Sequence, residues 1–402
     1  MKIKQLGIKG YRSLKEVTWN PGDLNVIIGP NRAGKSNILS LLMLIKASAN
    51  GRLEDTIRSE GGFDSIVWDG EHPYIDIQII NVVNKSDKDK DCPDCYQLRL
   101  NRLGKVGSYQ INELLSKNEW LGKSDTDKPK EYFRRESNLM YSGLELFGNL
   151  DLEELLLKSE TLLSFVKRPL VPNRYLSTYR HDLATIGVYN DINTSNYSQM
   201  RQSVITQYQT EIDSDGHNLV AVLHTLYSHD RDFKRAINEG MSAAFDGDFD
   251  ELIFPPAADN RIQMRVQWKS LKRSCSSADM SDGTLRFLTL LTILESTKRS
   301  SVNTDPPSIV AIDEPELGLH PYLLSIIAEY AVEASRHAQV IFTTHSPQFL
   351  DAFEEDVPTV TCVNIENGET ILKTLKGETL SRWLEDYSLG TLFKNGDLDA
   401  IE

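Results

Sequence analysis

Two short segments of this 402-residue sequence carry side chains suited to phosphate and water chemistry. The first is Gly29-Pro30-Asn31-Arg32-Ala33-Gly34-Lys35-Ser36, which fits G-x-x-x-x-G-K-[ST]. Glycines in such a loop let backbone N–H groups surround phosphate oxygens. Lys35 is expected to reach β- and γ-phosphates, Ser36 to ligate Mg²⁺, and Asn37 to extend the ATP-binding run. The second segment is Ser308-Ile-Val-Ala-Ile-Asp313-Glu314. Two carboxylates at the end of an apolar strand stand where open α/β sheets bind ligands. Asp313 is expected to hold Mg²⁺, directly or through water, and Glu314 to orient and deprotonate an attacking water.

Two further segments gain meaning from their order. Met280-Ser281-Asp282-Gly283-Thr284 precedes an apolar helical run. Ser281 suits a helix cap, and Gly283 lets a backbone approach a ligand closely. Alone this is an ordinary cap. Gln339-Val-Ile-Phe-Thr-Thr344-His345-Ser-Pro347 ends an apolar strand in hydroxyls and a histidine; alone such a histidine is more often structural, and in this order His345 suits contact with the γ-phosphate or the attacking water.

These residues need particular elements beneath them. Leu24 to Ile28 reads as a strand covered on both faces, and Ser36 to Ala47 as the helix after the loop. Tyr74 to Val83 and Tyr96 to Arg102 read as a hairpin. Apolar residues recur at helical spacing in Leu144 to Phe165 and Asn218 to Phe245. Ser308 to Ile312 and Gln339 to Thr343 are predicted strands joined by the helix Tyr322 to Arg336, which implies parallel pairing. Lys35 and Asp313 lie so far apart in sequence that a large insertion must fold out between two halves of one site. The expected divisions are an N-terminal lobe over 1–110, an inserted mostly helical lobe over 111–250, a C-terminal lobe over 251–350 and an acidic segment over 351–402.

The set Gly29 to Ser36, Ser281 to Thr284, Ile312-Asp-Glu-Pro-Glu-Leu-Gly-Leu-His-Pro321 and Thr343 to Pro347 resembles the ABC-type ATPases of the RecF/SMC/OLD group. Within it, the chain is similar to the compact AAA-family ATPases related to the OLD ATPase domain. Asp215-Gly-His-Asn-Leu219 with Leu223, and Trp383 to Gly390, resemble segments of that branch. The resemblance implies an α/β P-loop NTPase fold, a two-lobed ABC-type head with an inserted helical lobe. It implies Mg²⁺-dependent ATP hydrolysis by a head-to-tail homodimer or higher homo-oligomer. Each ATP would face Ser281, Asp282 and Gly283 of the other protomer. Arg12 resembles the basic residue of the family's first strands and is placed near the nucleotide. Gln78 and Gln97 both stand as candidates for the Mg²⁺-sensing glutamine. Relatives of this kind accompany genome maintenance or anti-phage defence, so DNA, or a separate nuclease, toxin or other effector protein, is the expected partner. SMC proteins have long coiled coils, which are not expected here because no sustained heptad appears; OLD nucleases carry a Toprim domain, which is not expected in the 57 residues after His345, so any nuclease is expected on another polypeptide. The alternative is an ATP-gated scaffold that restrains a toxin or nuclease with little turnover.

Composition narrows the rest. Hydrophobic residues are 40% and charged residues 25%, which suits a packed core. A net charge of -14 argues against coating nucleic acid or anionic membrane by bulk charge. The last 52 residues hold 12 acids and 4 bases, so much of that charge is local. No apolar stretch is long enough to span a bilayer and no secretory core opens the sequence, so a cytoplasmic protein without a membrane partner is expected. Four cysteines do not make a disulfide scaffold. Cys92-Pro-Asp-Cys95 has metal-ligand spacing but no second pair, favouring a reduced hairpin loop. His217, His224 and His229 lack a metal-hydrolase pattern. Lys167, Arg168, Arg174 and Arg180, interleaved with Tyr175 and Tyr179, and the run Arg261, Arg265, Lys269, Lys272 and Arg273 suit either a nucleic-acid backbone or a solvated face.

Overall fold

The computed structural model describes residues 1–82, 92–104, 107–117, 130–137, 139–142, 160–166, 174–298, 306–354, 356–375 and 387–396. The chain forms two units, and each is built from separated stretches of sequence. The first comprises Met1–Gly22, Gly29–Ile186 and Thr361–Thr374; the second comprises Asp23–Ile28, Gly187–Val360 and Leu375–Glu402.

The first unit is organised by an antiparallel sheet. Its strands are β1 (Ile3–Tyr11), β2 (Leu14–Trp19), β4 (Tyr74–Asn81), β5 (Cys95–Leu103), β6 (Ser108–Lys117), β7 (Lys130–Glu136) and β8 (Leu139–Ser142), in the order β2-β1-β4-β5-β6-β7-β8. The expected hairpin is present: Ile77 pairs with Leu98 across β4 and β5. Alternation puts Ile75, Ile77, Ile79, Leu98 and Leu100 in the core. Helix α1 (Lys35–Asn50) ends at Gly51 in a left-handed cap. Helices α2 (Leu53–Ser59), α3 (Phe63–Ile66) and α4 (Arg174–Ala184) also belong to this unit. Strand β18 (Thr359–Glu366), from Thr361 onward, pairs with β19 (Glu369–Thr374) as a hairpin. Part of the expected acidic segment thus belongs to this unit, where Trp19 Nε1 donates to the Thr361 hydroxyl at 3.0 Å.

A mostly helical lobe was expected over 111–250, but among its described residues 111–117 belong to β6, 130–136 to β7 and 139–142 to β8. The alternation there is broken by inward-facing charge: Glu113 and Arg135 are buried among Ile111, Leu115 and Phe133. Of the helical pattern Leu144 to Phe165, residues 144–159 lie outside the described residues, and Leu162–Phe165 form a 3₁₀ turn.

The second unit is built on parallel strands in the order β3 (Leu24–Ile28), β17 (Gln339–Thr344), β16 (Ile309–Asp313) and β9 (Gly187–Tyr189). Val26 pairs with Phe342, and Phe342 with Ile312. These strands read as continuous apolar runs because both faces are covered. Small antiparallel sheets join β10 (Val204–Ile205), β13 (Arg261–Ile262) and β12 (Pro256–Ala257), and β11 (Phe249–Ile253), β14 (Arg265–Trp268) and β15 (Cys275–Ser276). The expected strand Ile262 to Trp268 is thus two strands in different sheets. The helical pattern Asn218 to Phe245 is realised as α5 (Leu219–His229) and α6 (Arg231–Ala244). Asp230 separates them and caps α6, accepting from the N–H groups of Asp232 and Phe233. Helices α7 (Asp282–Glu295), α8 (Pro321–Ser335), α9 (Pro347–Asp351) and α10 (Leu389–Asn395) follow. Among the described residues no helix is long and apolar enough to cross a membrane.

Candidate nucleotide site

Strand β3 hands the chain directly to Gly29, so the phosphate loop begins at the carboxyl end of a parallel strand. Within the first unit the loop is braced by Ser13 and Thr370. Ala33, Gly34 and Lys35 are buried, whereas Pro30, Asn31, Arg32 and Ser36 are exposed. Gly34 has φ 106°, and a Cβ there would lie 2.3 Å from Thr370 Oγ1 and 2.8 Å from Ser13 Oγ. Only glycine meets both demands. Lys35 Nζ donates to the carbonyls of Gly29 at 2.9 Å and Pro30 at 3.0 Å, which curls the ammonium over the loop. Gly34 supplies no side-chain cap to α1. An anion at that helix start would supply the negative charge a capping side chain otherwise brings.

Asn37, one residue beyond the motif, donates to Ser13 Oγ at 2.7 Å and accepts from Arg12 at 3.3 Å. Arg12 also reaches Ser40 Oγ at 3.4 Å and forms an ion pair with Glu60. The Thr370 hydroxyl lies 2.6 Å from Ser13 Oγ and 2.8 Å from the Ala33 carbonyl oxygen. Sequence reasoning missed Ser13 and Thr370. No spacing rule links them, because their contact is made by the β18–β19 hairpin. Gln78 and Gln97 face each other across β4 and β5. Gln97 donates to the Asp76 carboxylate at 2.9 and 3.2 Å, and Gln78 lies 3.8 Å from Cys95 Sγ. Burial pushes the Cys95 thiol up from its ordinary value.

The second unit brings together the acidic strand end and the histidine. Asp313 ends β16, pairs in register with Thr343, and accepts from the Thr343 hydroxyl. Glu314 follows with φ 44°, a left-handed conformation costing a non-glycine residue about 1–3 kcal/mol. Its N–H donates to the Thr343 carbonyl at 3.0 Å, which holds the strained turn. His345 Nε2 lies 3.5 Å from Glu314 Oε1. Glu316 Oε1 accepts from the Thr344 hydroxyl at 2.6 Å and the His345 N–H at 3.1 Å, so Glu316 orients the turn carrying His345. Arg286, from α7, donates to the Glu314 carbonyl at 3.1 Å. Burial lowers the Arg286 pKa from its ordinary value, partly offset by the Glu316 and Glu314 carboxylates.

Ser281 caps α7, its hydroxyl accepting from Thr284 N–H at 3.1 Å. A Cβ on Gly283 would lie 2.7 Å from the Gly318 carbonyl, so glycine permits the α7 start to pack on the loop after Glu314. Asp282 pairs with Arg201, a third residue without a sequence signal.

The other sequence candidates fall into local roles. His217 contacts Asp215, with Nδ1 2.7 Å from Oδ1. Burial pushes the His224 pKa down. Arg261 donates to the Ser203 carbonyl, Arg265 to Ser274, and Lys269 to the Gly247 carbonyl. Lys167 and Arg168 lie outside the described residues, as does Trp383. Among the described residues no group of three or more His, Cys, Asp or Glu side chains is arranged to hold a metal ion. Mg²⁺ at nucleotide sites needs no such cage, since one or two protein oxygens join substrate phosphates and waters. Ser36 in the first unit carries a hydroxyl and Asp313 in the second a carboxylate, each a hard oxygen donor of the type Mg²⁺ takes.

Comparison with known proteins agrees with this chemistry. A family model described as "AAA ATPase domain" matches residues 1–134. One described as "AAA domain, putative AbiEii toxin, Type IV TA system" matches residues 170–351. Among curated proteins none matches significantly. A solved SmcHead bound to the C-winged helix domain of ScpA is 15% identical with a TM-score of 0.55, covering 95% of this chain and 100% of that chain. A Smc head domain with an extended coiled coil, bound to the C-terminal domain of ScpA derived from Pyrococcus furiosus, is 13% identical with a TM-score of 0.51. That alignment covers 96% of this chain and 99% of that one. At such identities the likeness establishes the fold, an ABC-type P-loop head. AAA-family ATPase domain models thus match residues 1–134 and 170–351, which together with the fold mark the chain as an ATPase.

Proposed function

We propose that this ATPase hydrolyses ATP in a head-to-tail dimer whose closure controls DNA or a separate effector protein. The observation that carries the hydrolytic part is the turn at Asp313 and Glu314, held by Thr343 with His345 at 3.5 Å. A strained, over-determined carboxylate at a strand end is suited to positioning a water. Gly29 to Ser36 and Asn37, with Arg12 behind them, hold the phosphates. Lys35 exchanges its loop carbonyls for β- and γ-phosphate oxygens. Ser36 and Asp313 are the residues that would hold Mg²⁺, and the ion would supply charge neutralisation at the phosphates. Glu314 takes a proton from water as its oxygen bonds to the γ-phosphorus; the bond to the ADP oxygen breaks, releasing ADP and phosphate. His345 donates to the γ-phosphate and orients Glu314. Ser281, Asp282 and Gly283 present the α7 start to the γ-phosphate of the partner protomer's ATP.

The test is Glu314→Gln. Turnover should fall about 100-fold or more, the range expected for losing a general base. ATP with Mg²⁺ should then drive the protein from monomer to dimer in light scattering, because hydrolysis no longer releases the clamp. A strict monomer at every concentration would remove the trans role of Ser281. An ATP-gated scaffold is the second reading, supported by the partner-bound Smc heads that share the fold. Under it the Glu314→Gln protein keeps full biological activity; under the first reading it dimerises and fails. Genome maintenance and defence against phage are the two biological settings open to this reading, and a co-encoded nuclease, reverse transcriptase or toxin would decide between them.

A further inference from the structure

We propose that Arg201 is a positioning residue that shapes the Ser281–Gly283 turn for its γ-phosphate. The inference rests on the clamp reading of Ser281 given above. Arg201 stands in a 3₁₀ turn (Gln199–Arg201), far in sequence from the segment it touches. Its side chain is only 5% exposed, yet its partner Asp282 is 67% exposed. A buried cation therefore reaches outward to a surface carboxylate.

The contacts converge on one segment. One guanidinium nitrogen donates to the Met280 carbonyl at 2.6 Å, with the Ala278 and Ser277 carbonyls at 3.2 and 3.4 Å. The other terminal nitrogen pairs with Asp282. Nε donates to the Thr194 carbonyl at 3.0 Å, which anchors the group from behind. Ser281 lies between the held Met280 carbonyl and the held Asp282 carboxylate, so its backbone is fixed from both sides. Its own hydroxyl is set against Thr284. The guanidinium also neutralises Asp282, whose negative charge would otherwise repel a γ-phosphate at the α7 start. A planar fork can serve carbonyls and a carboxylate together; a single ammonium cannot.

The experiment compares wild type, Arg201→Ala, Arg201→Lys and Ser281→Ala. Four quantities are measured: kcat, the ATP affinity of dilute protein, melting temperature and ATP-driven association of each in a Glu314→Gln background. Arg201→Ala should lose roughly tenfold or more in kcat, as expected when transition-state donors are misplaced. ATP affinity, set by the Gly29–Ser36 loop, should stay within about twofold, and association should weaken. Arg201→Lys should not restore kcat. Wild-type kcat in either Arg201 variant overturns the proposal. So does a fall in ATP affinity or melting temperature that accounts for the lost turnover. If Arg201→Ala does not fold, Arg201→Lys decides: low kcat at a wild-type melting temperature supports the role. A silent Ser281→Ala would instead sink the clamp reading itself. Loss in Ser281→Ala with none in the Arg201 variants sinks only the role of Arg201.

Discussion

Gly34 has the narrowest tolerance in the phosphate loop. Its φ of 106° strains any other residue, and the Thr370 and Ser13 hydroxyls occupy the space a Cβ needs. Gly34→Ala should therefore push the loop off its brace and weaken ATP binding at least about tenfold, from about 1–3 kcal/mol of strain plus the clash. Titration calorimetry checks this; wild-type affinity would mean the brace yields freely. Lys35, Ser36, Asp313 and Glu314 were legible because their order and spacing follow from local geometry: a strand, a tight turn, a helix start or an acidic strand end. Arg201, Ser13 and Thr370 were not. Each acts on residues brought near by folding, so neither type nor spacing marks it.

At the level of elements, strands were legible where apolar residues alternate or run unbroken, and lost where charge is buried. Strand β6 shows why. Glu113 points inward and accepts from the N–H groups of Leu162 at 2.6 Å and Leu163 at 2.9 Å and from the Tyr96 hydroxyl at 2.9 Å. It thus takes a position that a periodic code reserves for apolar side chains. Burial raises its pKa, and the hydrogen bonds and nearby Arg135 only partly offset this. The sign follows directly. The folded protein holds the Glu113 proton to higher pH than the unfolded chain. Relative to the low-pH limit, stability falls as pH rises from the ordinary glutamate value through the folded pKa, and then levels. Glu113→Gln, neutral throughout, should flatten this contribution in urea unfolding measured from pH 4 to 8. An unchanged pH slope would show that Glu113 ionises equally in both states.

On the scale of the whole molecule, neither unit is a continuous segment. The second unit takes β3 from residues 24–28 and its other parallel strands from beyond residue 186. A fragment spanning 187–360 lacks the strand that pairs with Val340 to Thr344. It leaves a row of backbone groups and the buried side chains of β17 uncovered. Such a fragment should show no cooperative thermal transition by circular dichroism, whereas the full chain should; a sharp melt of the fragment would mean β3 is dispensable. Charge also reads differently at this scale. Arg261 donates to the Ser203 carbonyl, Arg265 to the Ser274 hydroxyl and carbonyl, and Lys269 to the Gly247 carbonyl, so the basic run is partly spent on loop structure.

The sequence by itself determined the phosphate loop, the acidic strand end, the α/β class and the expectation of an ATPase, because those rest on short-range backbone geometry and on order along the chain. Tertiary structure decided what holds these parts in shape. Thr370 braces Gly34 and Arg201 grips the Ser281 turn. Glu113 sits charged-type side chain inward at the 3₁₀ turn. The physical reason is common to all three. A polar group's partner is chosen by which surfaces meet on folding, and burial then makes that partner costly to lose.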